Sequence, residues 1–418
     1  MNILLRSATI IDANSPAIHQ KKRDIHIKDG IIQKISAKID TPKGAKEIKL
    51  DNLHVSLGWF DTSISFGEPG FEERETISNG LKVAAVSGFT DILLNPNTNP
   101  TPDTSSDIIF LKERSKNAAT NLYPIGNLTT TGNGEHLAEL FDMHNAGAVA
   151  FYDYKNSLKN ANLLKIALLY AQNFSGLVLS YPEEHQIKGK GTVHEGEVST
   201  KLGLKGIPSL SEELQITRDL YILEYTGGKL HIPTISSAGS VKLIAEAKKK
   251  GLDVTTSVAI HNLILSDAEL ESFDANYKVK PPLRTQKDSK ALIKGLQNGT
   301  IDFVTADHTP IDVEQKRVEF DNAAFGSIGL ESAFGALHTI LNTEDTVALL
   351  TKGRKRFGIK NPQLKEGEKA CLTLFNPEDA YTFDLSVIKS TSKNSIFKGR
   401  PLKGSVYGII NNKEILLS

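Results

Sequence analysis

Eight short runs of β-branched and apolar residues recur along the middle of the chain, and segments with helical periodicity lie between them. The runs are residues 53–66, 89–96, 121–129, 148–154, 176–182, 228–236, 253–261 and 302–310. The clearest helical patterns are 158–172, 211–225 and 239–249. Glycine precedes several runs, as at Gly88, Gly147 and Gly251, where it is typical of a helix end. This alternation predicts an α/β fold of the (β/α)8 (TIM) barrel type rather than an open sheet.

The two ends of the chain differ from the middle, because they consist of short strands and turns. Asp29-Gly30 and Asn411-Asn412 are turn signals within these ends. Each end is too short to bury a core of its own. We therefore predict two domains: residues 1–52 plus 365–418 form a small β-sandwich domain, and residues 53–364 form the barrel.

Charge and composition exclude several classes of function. The 418 residues carry 49 basic and 49 acidic side chains, so the formal net charge of zero gives no basis for binding nucleic acid or an anionic membrane. No apolar run is long enough to span a bilayer, and the N-terminus lacks the apolar segment of a signal peptide. The single cysteine, Cys371, excludes an internal disulfide and a cysteine-based zinc cage. We expect a cytoplasmic protein.

The residues that follow the predicted strands are the candidates for a functional site, because barrel enzymes use the C-terminal ends of their strands. These residues are Ser63, Ser65, Asn97, Asp153, Tyr181, Thr234, His261, Asp307 and His308. Only Asp153 and Asp307 supply carboxylates for a pair of divalent metals. Serine and threonine hydroxyls are neutral, poor zinc ligands, and a tyrosine would first have to lose its proton.

Several longer stretches make the chain resemble the dihydroorotases of the amidohydrolase superfamily over nearly its full length. The matching stretches are "GFEERETISNGLKVAAVSGFTDILLNPNTNPTPDT", "YPIGNLTTTG", "GAVAFYDY", "HEGEVSTKLGL", "YKVKPPLRTQKDSKALIKGLQNGTIDFVTADHTP" and "EFDNAAFGSIGLESAF". The resemblance implies a metal-dependent hydrolase barrel with a small β-domain made from both chain ends. It also implies the hydrolysis and closure of a dihydropyrimidine ring in pyrimidine synthesis, with one or two zinc ions and an aspartate after strand eight that moves the proton.

Most of the family's metal ligands are replaced in this chain. The histidine pair of the first strand falls on Ser63 and Ser65, and the histidines after strands five and six fall on Tyr181 and Thr234. The bridging carboxylate, Asp153, and the strand-eight aspartate, Asp307, remain. Two carboxylates without imidazoles do not form a nitrogen-rich metal site, so we expect no metal cofactor.

The family's substrate-binding residues are changed as well. The arginine that pairs with the substrate carboxylate corresponds to Gly67, and its loss removes about 2–3 kcal/mol of charge-assisted hydrogen bonding. At two further substrate-binding positions, Lys280 replaces the family's asparagine and Ile311 replaces its histidine, while Asn97 is retained. We predict Asn97 as a retained substrate-binding position and Asp307 as a vestigial general-base position.

Other roles for these residues remain open. Asp307 could still be a base, but a base without an activated nucleophile has no task, and a hydrogen-bonding role is favoured. For Asp153 we favour pairing with Lys280 or with a backbone amide over the binding of a metal cation. One hypothesis has the Lys280 ammonium replace the metal charge toward Asp153 and Asp307. A replacement metal set made of His231, His261 and His308 is disfavoured, as is Ser63 as a nucleophile, because no nucleophile-elbow motif surrounds it.

We predict a catalytically inactive dihydroorotase homologue, a pseudoenzyme with a structural or regulatory role in pyrimidine biosynthesis. The resemblance implies a homodimer and aspartate carbamoyltransferase as a possible partner. The alternative is an active dihydroorotase or related cyclic-amide hydrolase with an atypical metal centre, which would contain zinc. A third hypothesis, supported by Asn97, is a sensor that binds a pyrimidine intermediate without converting it.

Overall fold

A computed structural model describes residues 1–418 of the chain. Its strands are β1 (Asn2–Ile11), β2 (Lys22–Lys28), β3 (Ile31–Ser36), β4 (Lys46–Ile48), β5 (His54–Leu57), β6 (Trp59–Ile64), β7 (Phe89–Leu94), β8 (Asn121–Pro124), β9 (Val178–Leu179), β10 (Val193–His194), β11 (Gly206–Ile207), β12 (Leu230–Ile232), β13 (Val254–Ala259), β14 (Phe303–Thr305), β15 (Leu372–Thr382), β16 (Pro401–Asn411) and β17 (Glu414–Leu417).

The helices lie mostly between the strands of the middle region. They are α1 (Ile77–Val86), α2 (Ser105–Arg114), α3 (Leu140–Ala146), α4 (Ala161–Ala171), α5 (His185–Lys188), α6 (Glu197–Leu202), α7 (Ser209–Thr226), α8 (Ala238–Lys249), α9 (Ile260–Ile264), α10 (Gln286–Gln297), α11 (Val313–Lys316), α12 (Ala333–Leu337) and α13 (Thr343–Thr351). Local sequence explains several helix starts: Thr76, for example, caps α1 by accepting a hydrogen bond from the Asn79 amide at 3.2 Å. None of the helices is both long and apolar enough to cross a membrane.

The middle strands form a closed parallel barrel. β6, β7 and β8 pair in order, Phe151 bridges to Gly126 on one side and Val178 on the other, and β9, β12, β13 and β14 complete the circle. A parallel bridge between Ile64 and His308 joins the last strand to the first. The predicted α/β class, with a (β/α)8 barrel and a small β-domain from both chain ends, is confirmed.

Hydrogen bonds join the strands of both chain ends into one mixed sheet in the order β17-β16-β15-β5-β1-β2-β3, with β4 beside β1. The single strand predicted over 53–66 is wrong, because β5 belongs to this terminal sheet and β6 to the barrel. Gly58 separates them, and a Cβ at Gly58 would lie 2.2 Å from the side chain of Thr90. The division into 1–52 plus 365–418 and 53–364 remains a proposal.

Buried side chains fill the barrel, so it is a packed core rather than a channel. They include Phe60, Leu93, Tyr152, Leu179 and Phe303. A larger apolar layer packs between the strands and the surrounding helices. Polar residues are therefore left for the barrel mouth, defined here as the C-terminal ends of the barrel strands and the residues directly after them.

Candidate functional site

Three polar side chains from the first two barrel strands lie together at the barrel mouth. Asn95, just after β7, donates from Nδ2 to the hydroxyl oxygens of Ser63 at 3.1 Å and Ser65 at 3.2 Å. All three residues are buried. The structure therefore brings the two predicted serines together and adds Asn95, which the sequence analysis did not single out.

Asp307 lies across the mouth from these serines and accepts two hydrogen bonds. One comes from the Ser63 hydroxyl at 3.1 Å, and the other from the Lys155 ammonium at 2.7 Å. The side chains of Lys155 and Asp307 are 11% and 3% exposed, so this is a buried ion pair. Burial raises the pKa of Asp307, and the bonds from Lys155 and Ser63 oppose that rise. The predicted base position is thus bound to a cation.

Lys155 is a central residue of the mouth that sequence reasoning missed. Burial lowers its pKa, but Asp307 and Tyr154 together outweigh burial, and the pKa ends above its usual value. Tyr154 has a φ of 51°, a left-handed conformation that marks a turn directly before Lys155. The available signal was a lysine two residues after the retained carboxylate Asp153, in "YDYK".

Lys280 provides a second buried cation at the mouth. Its ammonium lies 2.9 Å from a carboxylate oxygen of Glu183 and donates to the backbone oxygen of Lys155 at 2.8 Å. It also lies 4.9 Å from the centre of the Tyr181 ring. The hypothesis that Lys280 pairs with Asp153 and Asp307 is wrong, because its carboxylate partner is Glu183 and the cation on Asp307 is Lys155.

Asp153 is bound by the neighbouring backbone. One carboxylate oxygen accepts from the amides of Leu128 at 3.0 Å and Thr129 at 2.9 Å, and the other accepts from the Thr129 hydroxyl at 2.6 Å. Burial raises the pKa of Asp153 to about 6 against the effect of these bonds. Of the two partners favoured for Asp153, the structure has the backbone amide and not Lys280.

The positions of the other lost ligands offer no substitute for imidazole. Tyr181 is buried, and burial raises the pKa of its phenol well above the usual value, so the phenolate is strongly disfavoured. Thr234 has a φ of 49°, and its amide donates to the Ser257 hydroxyl at 3.1 Å. Its own hydroxyl is buried without a hydrogen-bond partner in the protein.

The three histidines considered as a replacement set do not share a ligand-binding arrangement, and Nε2 of His261 and of His308 is buried without a hydrogen-bond partner in the protein. His308 accepts at Nδ1 from the amides of Gly329 and Leu330, at 3.1 and 3.3 Å. His231 lies beside the hydroxyls of Thr255 and Ser257. Burial lowers the pKa of His231 and of His261 to about 3. Nowhere in the structure do three His, Cys, Asp or Glu side chains form a group that could hold a metal ion.

Asn97 is not hydrogen-bonded to Ser63, Ser65 or Asn95. Its side-chain oxygen is buried and has no hydrogen-bond partner in the protein. Its predicted role in substrate binding stays a prediction.

Taken together, the residues at the mouth do not fit a pair of divalent metal ions. Both oxygens of Asp153 are occupied by protein donors, and two ammonium groups lie where an added cation would be repelled. The remaining carboxylate, Asp307, is bonded to the Ser63 hydroxyl and the Lys155 ammonium. The arrangement can balance charge and order the strand ends, but it offers no donor set for activating water.

Comparison with known proteins gives sequence relatives along the whole chain. A family model described as "Dihydro-orotase-like" matches residues 54–240. A protein named dihydroorotase from Pelotomaculum thermopropionicum is 39% identical over 424 residues, which cover 100% of this chain and 99% of the relative. Another from Caldicellulosiruptor saccharolyticus is 39% identical over 425 residues, covering 99% and 98%.

Solved structures share the fold at lower sequence identity. The L-hydantoinase (dihydropyrimidinase) of Arthrobacter aurescens has a TM-score of 0.86 at 22% identity and covers 100% of this chain and 96% of its own. The D-hydantoinase (dihydropyrimidinase) of a Thermus species has a TM-score of 0.82 at 20% identity, with coverage of 99% and 94%. At these identities the likeness concerns the fold alone.

Proposed function

The chain belongs to the dihydroorotase family, and we propose that it is a non-catalytic member in which lysine ammonium groups replace the metal charge at the barrel mouth. The observation that carries this proposal is the buried contact of 2.7 Å between the Lys155 ammonium and Asp307. The ion pair favours the charged form of Asp307 and opposes the rise of its pKa that burial causes, so this carboxylate is engaged by a cation of the protein itself. Relatives named dihydroorotase support a place in pyrimidine biosynthesis.

The chemistry of the ammonium group supports the same conclusion. An ammonium ion supplies positive charge and hydrogen-bond donors, but it has no vacant orbital with which to bind a water or polarise a carbonyl as a metal does. Lys155 and Lys280 therefore can balance Asp307 and Glu183 without generating a nucleophile. Without a nucleophile, Asp307 has no proton to take.

Zinc content and turnover test this proposal together. We expect the purified chain to hold far less than one zinc per chain by elemental analysis, and to show no dihydroorotate hydrolysis or carbamoyl aspartate cyclisation above background, with or without added zinc. Asp307→Asn serves as the matched control, because it is nearly isosteric and removes the candidate base. Wild type and variant should be indistinguishable in this assay.

The contrary result would support an active enzyme with an atypical metal centre. Full-length similarity to proteins named dihydroorotase favours that alternative. Stoichiometric zinc together with turnover that Asp307→Asn abolishes would overturn the non-catalytic assignment.

A structural role requires a partner, and we propose aspartate carbamoyltransferase. Similarity to a relative extends over 100% of the chain, which supports retention of the whole shape and its surfaces. Size-exclusion chromatography of the chain mixed with the carbamoyltransferase of the same organism should give one larger species. Separate elution of the two proteins at micromolar concentration would rule out this partner.

A further inference from the structure

A cavity of about 510 Å³, which we call the side cavity, lies apart from the cluster of polar residues at the mouth. Neither Lys155 nor Asp307 lines it, and of the family's substrate-binding positions only Ile311 borders it. Cavities of about 300–1,000 Å³ bind small organic molecules. Most of the wall comes from the segment after α9, the segment after β14 and the segment between β15 and β16: residues 273–276, 311–318 and 385–398.

Four large apolar side chains of the side cavity are exposed to solvent. They are 41–51% exposed and come from all three segments: Phe273, Val313, Val318 and Leu385. An apolar side chain in water lacks the stabilisation that burial gives, so a concentration of such side chains around one cavity is typical of a binding site. A ligand that fits here has an apolar body.

Lys316, at the end of α11, adds a buried cation to the same wall. The residue is 7% exposed, and its ammonium donates to the backbone oxygens of Ala275 at 2.8 Å and Lys278 at 3.3 Å. An ammonium has three N–H donors, so these bonds leave one unused. No aspartate or glutamate forms an ion pair with Lys316, and a buried charge without a counter-charge is costly. An anion in the cavity would supply that counter-charge.

The electrostatic field at Lys316 is positive. Burial first, and then the ammonium of Lys278, lower the pKa of Lys316 to about 7, and the opposing effect of Asp274 is smaller. Lys278 is 2% exposed, and its ammonium donates only to backbone oxygens, those of Phe320 at 2.8 Å and Asp321 at 2.9 Å. A field of this sign attracts an anion into the cavity.

The other charged side chains of the cavity do not cancel this field. The acidic ones already have partners, because Glu73 lies 3.8 Å from the Arg74 guanidinium. The carboxylates of Asp274 and Asp312 accept hydrogen bonds from backbone amides at 2.8 and 2.7 Å. Three further cations line the cavity, all exposed and without an ion pair: Arg317, Lys393 and Lys398. The side cavity is therefore electropositive and has apolar walls.

We propose that the side cavity binds a small organic carboxylate with an apolar body. The carboxylate pairs with the Lys316 ammonium, and the body covers Phe273, Val318 and Leu385. A hydrogen bond between two charged groups is among the strongest in proteins, and one unused N–H suffices for a carboxylate oxygen. A phosphate carries more charge and three acceptor oxygens, and a single buried donor does not satisfy it.

Calorimetric titration of the full chain with octanoate tests the proposal. Octanoate should bind wild type at least about tenfold more tightly than n-octanol or octylammonium, which share its chain but lack its negative charge. Lys316→Met keeps the length of the side chain and should weaken octanoate binding at least about tenfold. Arg317→Gln/Lys398→Gln changes only exposed positions, so the fold is retained, and octanoate should bind this variant at least about threefold more weakly.

Proton uptake assigns the binding to Lys316. At pH 8 this amine is largely neutral, because its pKa is about 7, and a bound carboxylate raises that pKa. Wild type should therefore take up a proton on binding octanoate at pH 8 and almost none at pH 5.5, as measured in buffers of different ionisation enthalpy. Lys316→Met should show no uptake at either pH.

A matched control lies on α10. Lys287→Gln/Lys290→Gln removes two charges at exposed positions away from the side cavity and should leave octanoate binding unchanged. The proposal is overturned if octanoate does not bind, if octanol or octylammonium binds as tightly, or if Lys316→Met binds octanoate like wild type. Zinc content and dihydroorotate turnover are separate readouts, so this result is independent of the proposed function.

Discussion

Each end of the barrel contains a buried ion pair between a basic side chain and an aspartate, and the two pairs differ in how completely they are bonded. At the barrel floor, the end opposite the mouth, Arg354 lies 2.6 Å from Asp91. At the mouth, Lys155 lies 2.7 Å from Asp307. The distances are similar, but the surroundings are not.

Both members of the floor pair make further hydrogen bonds. Arg354 also donates to the backbone oxygens of Gly58 and Thr351 at 2.7 and 3.3 Å, and to the Thr90 hydroxyl at 3.1 Å. Asp91 additionally accepts from Asn121 and Tyr123. These bonds fix the start of β7 to the segment between the barrel and the terminal sheet, so the pair maintains the architecture.

The mouth pair has fewer partners. The Lys155 ammonium has three donors, and only its bond to Asp307 is made with a protein hydrogen-bond acceptor within normal distance, with the Tyr154 ring 5.3 Å away. The floor pair therefore stabilises the architecture, whereas the mouth pair balances charge at the strand ends, where barrel enzymes place their chemistry.

The largest effect should come from breaking the floor pair. Arg354→Met leaves Asp91 buried without its cation, and we expect the free energy of unfolding to fall by about 3–5 kcal/mol. Denaturant titration measures this loss. Arg354→Met/Asp91→Asn removes both charges and should recover part of it. A loss below about 1 kcal/mol in the single variant would show that the floor pair is not the structural anchor described here.

Sequence patterns were sufficient for the fold, because strand–helix alternation and glycine positions report on local structure. Seven of the eight predicted runs contain a barrel strand, and the run 148–154 contributes only the isolated bridges of Phe151. The clearest helical patterns correspond to α4, α7 and α8. The single strand predicted over 53–66 was wrong because this apolar run contains two strands, β5 and β6, that belong to different sheets. Gly58 marks the change, but a glycine alone does not reveal which sheet each half joins.

Sequence patterns were insufficient for the contacts of the site, which depend on distances between strand ends. Ser65 and Asp307 follow β6 and β14, Ser63 lies within β6, and Asp153 comes two residues after the bridge at Phe151. Lys155 could not be placed, because it reaches Asp307 across 152 residues of sequence through a turn at Tyr154. The sequence therefore favoured Lys280 as the cation paired with Asp307, because Lys280 occupies a substrate-binding position of the family.

We expect the free energy of unfolding to fall at acid pH because of His308, which lies at the barrel mouth. Burial lowers the pKa of His308 to about 4 from 6.5, and protonation at Nδ1 would break the bonds from Gly329 and Leu330. A group with a lowered pKa in the folded state stabilises the fold above pH 6.5 and loses this contribution as the pH falls toward 4. The loss should be about 3 kcal/mol.

Two substitutions at this position separate titration from packing. His308→Gln keeps an acceptor for one amide and His308→Ala keeps none, so they should differ in stability at pH 7. Both should lose the same acid-dependent part of the unfolding free energy between pH 6.5 and 4. If the variants keep the wild-type dependence of the unfolding free energy on pH, a group other than His308 causes the acid sensitivity.

The smallest effect should come from breaking the mouth pair with Lys155→Met. Asp307 can then take up a proton, because burial already raises its pKa and Lys155 no longer opposes the rise. A carboxyl group with a raised pKa in the folded state stabilises the fold at low pH and loses this contribution as the pH rises. We therefore expect a cost of about 1–3 kcal/mol at pH 8 and almost none at pH 5.

Denaturant titration of wild type and Lys155→Met at several pH values measures this cost, and Lys155→Met/Asp307→Asn provides the control. The double variant has no carboxyl group to titrate, so its difference from wild type should lose this dependence on pH between 5 and 8. A cost of 3–5 kcal/mol at every pH would mean that the mouth pair is as structural as the floor pair. The lysine would then be an architectural element, and the distinction between the two ends of the barrel would fail.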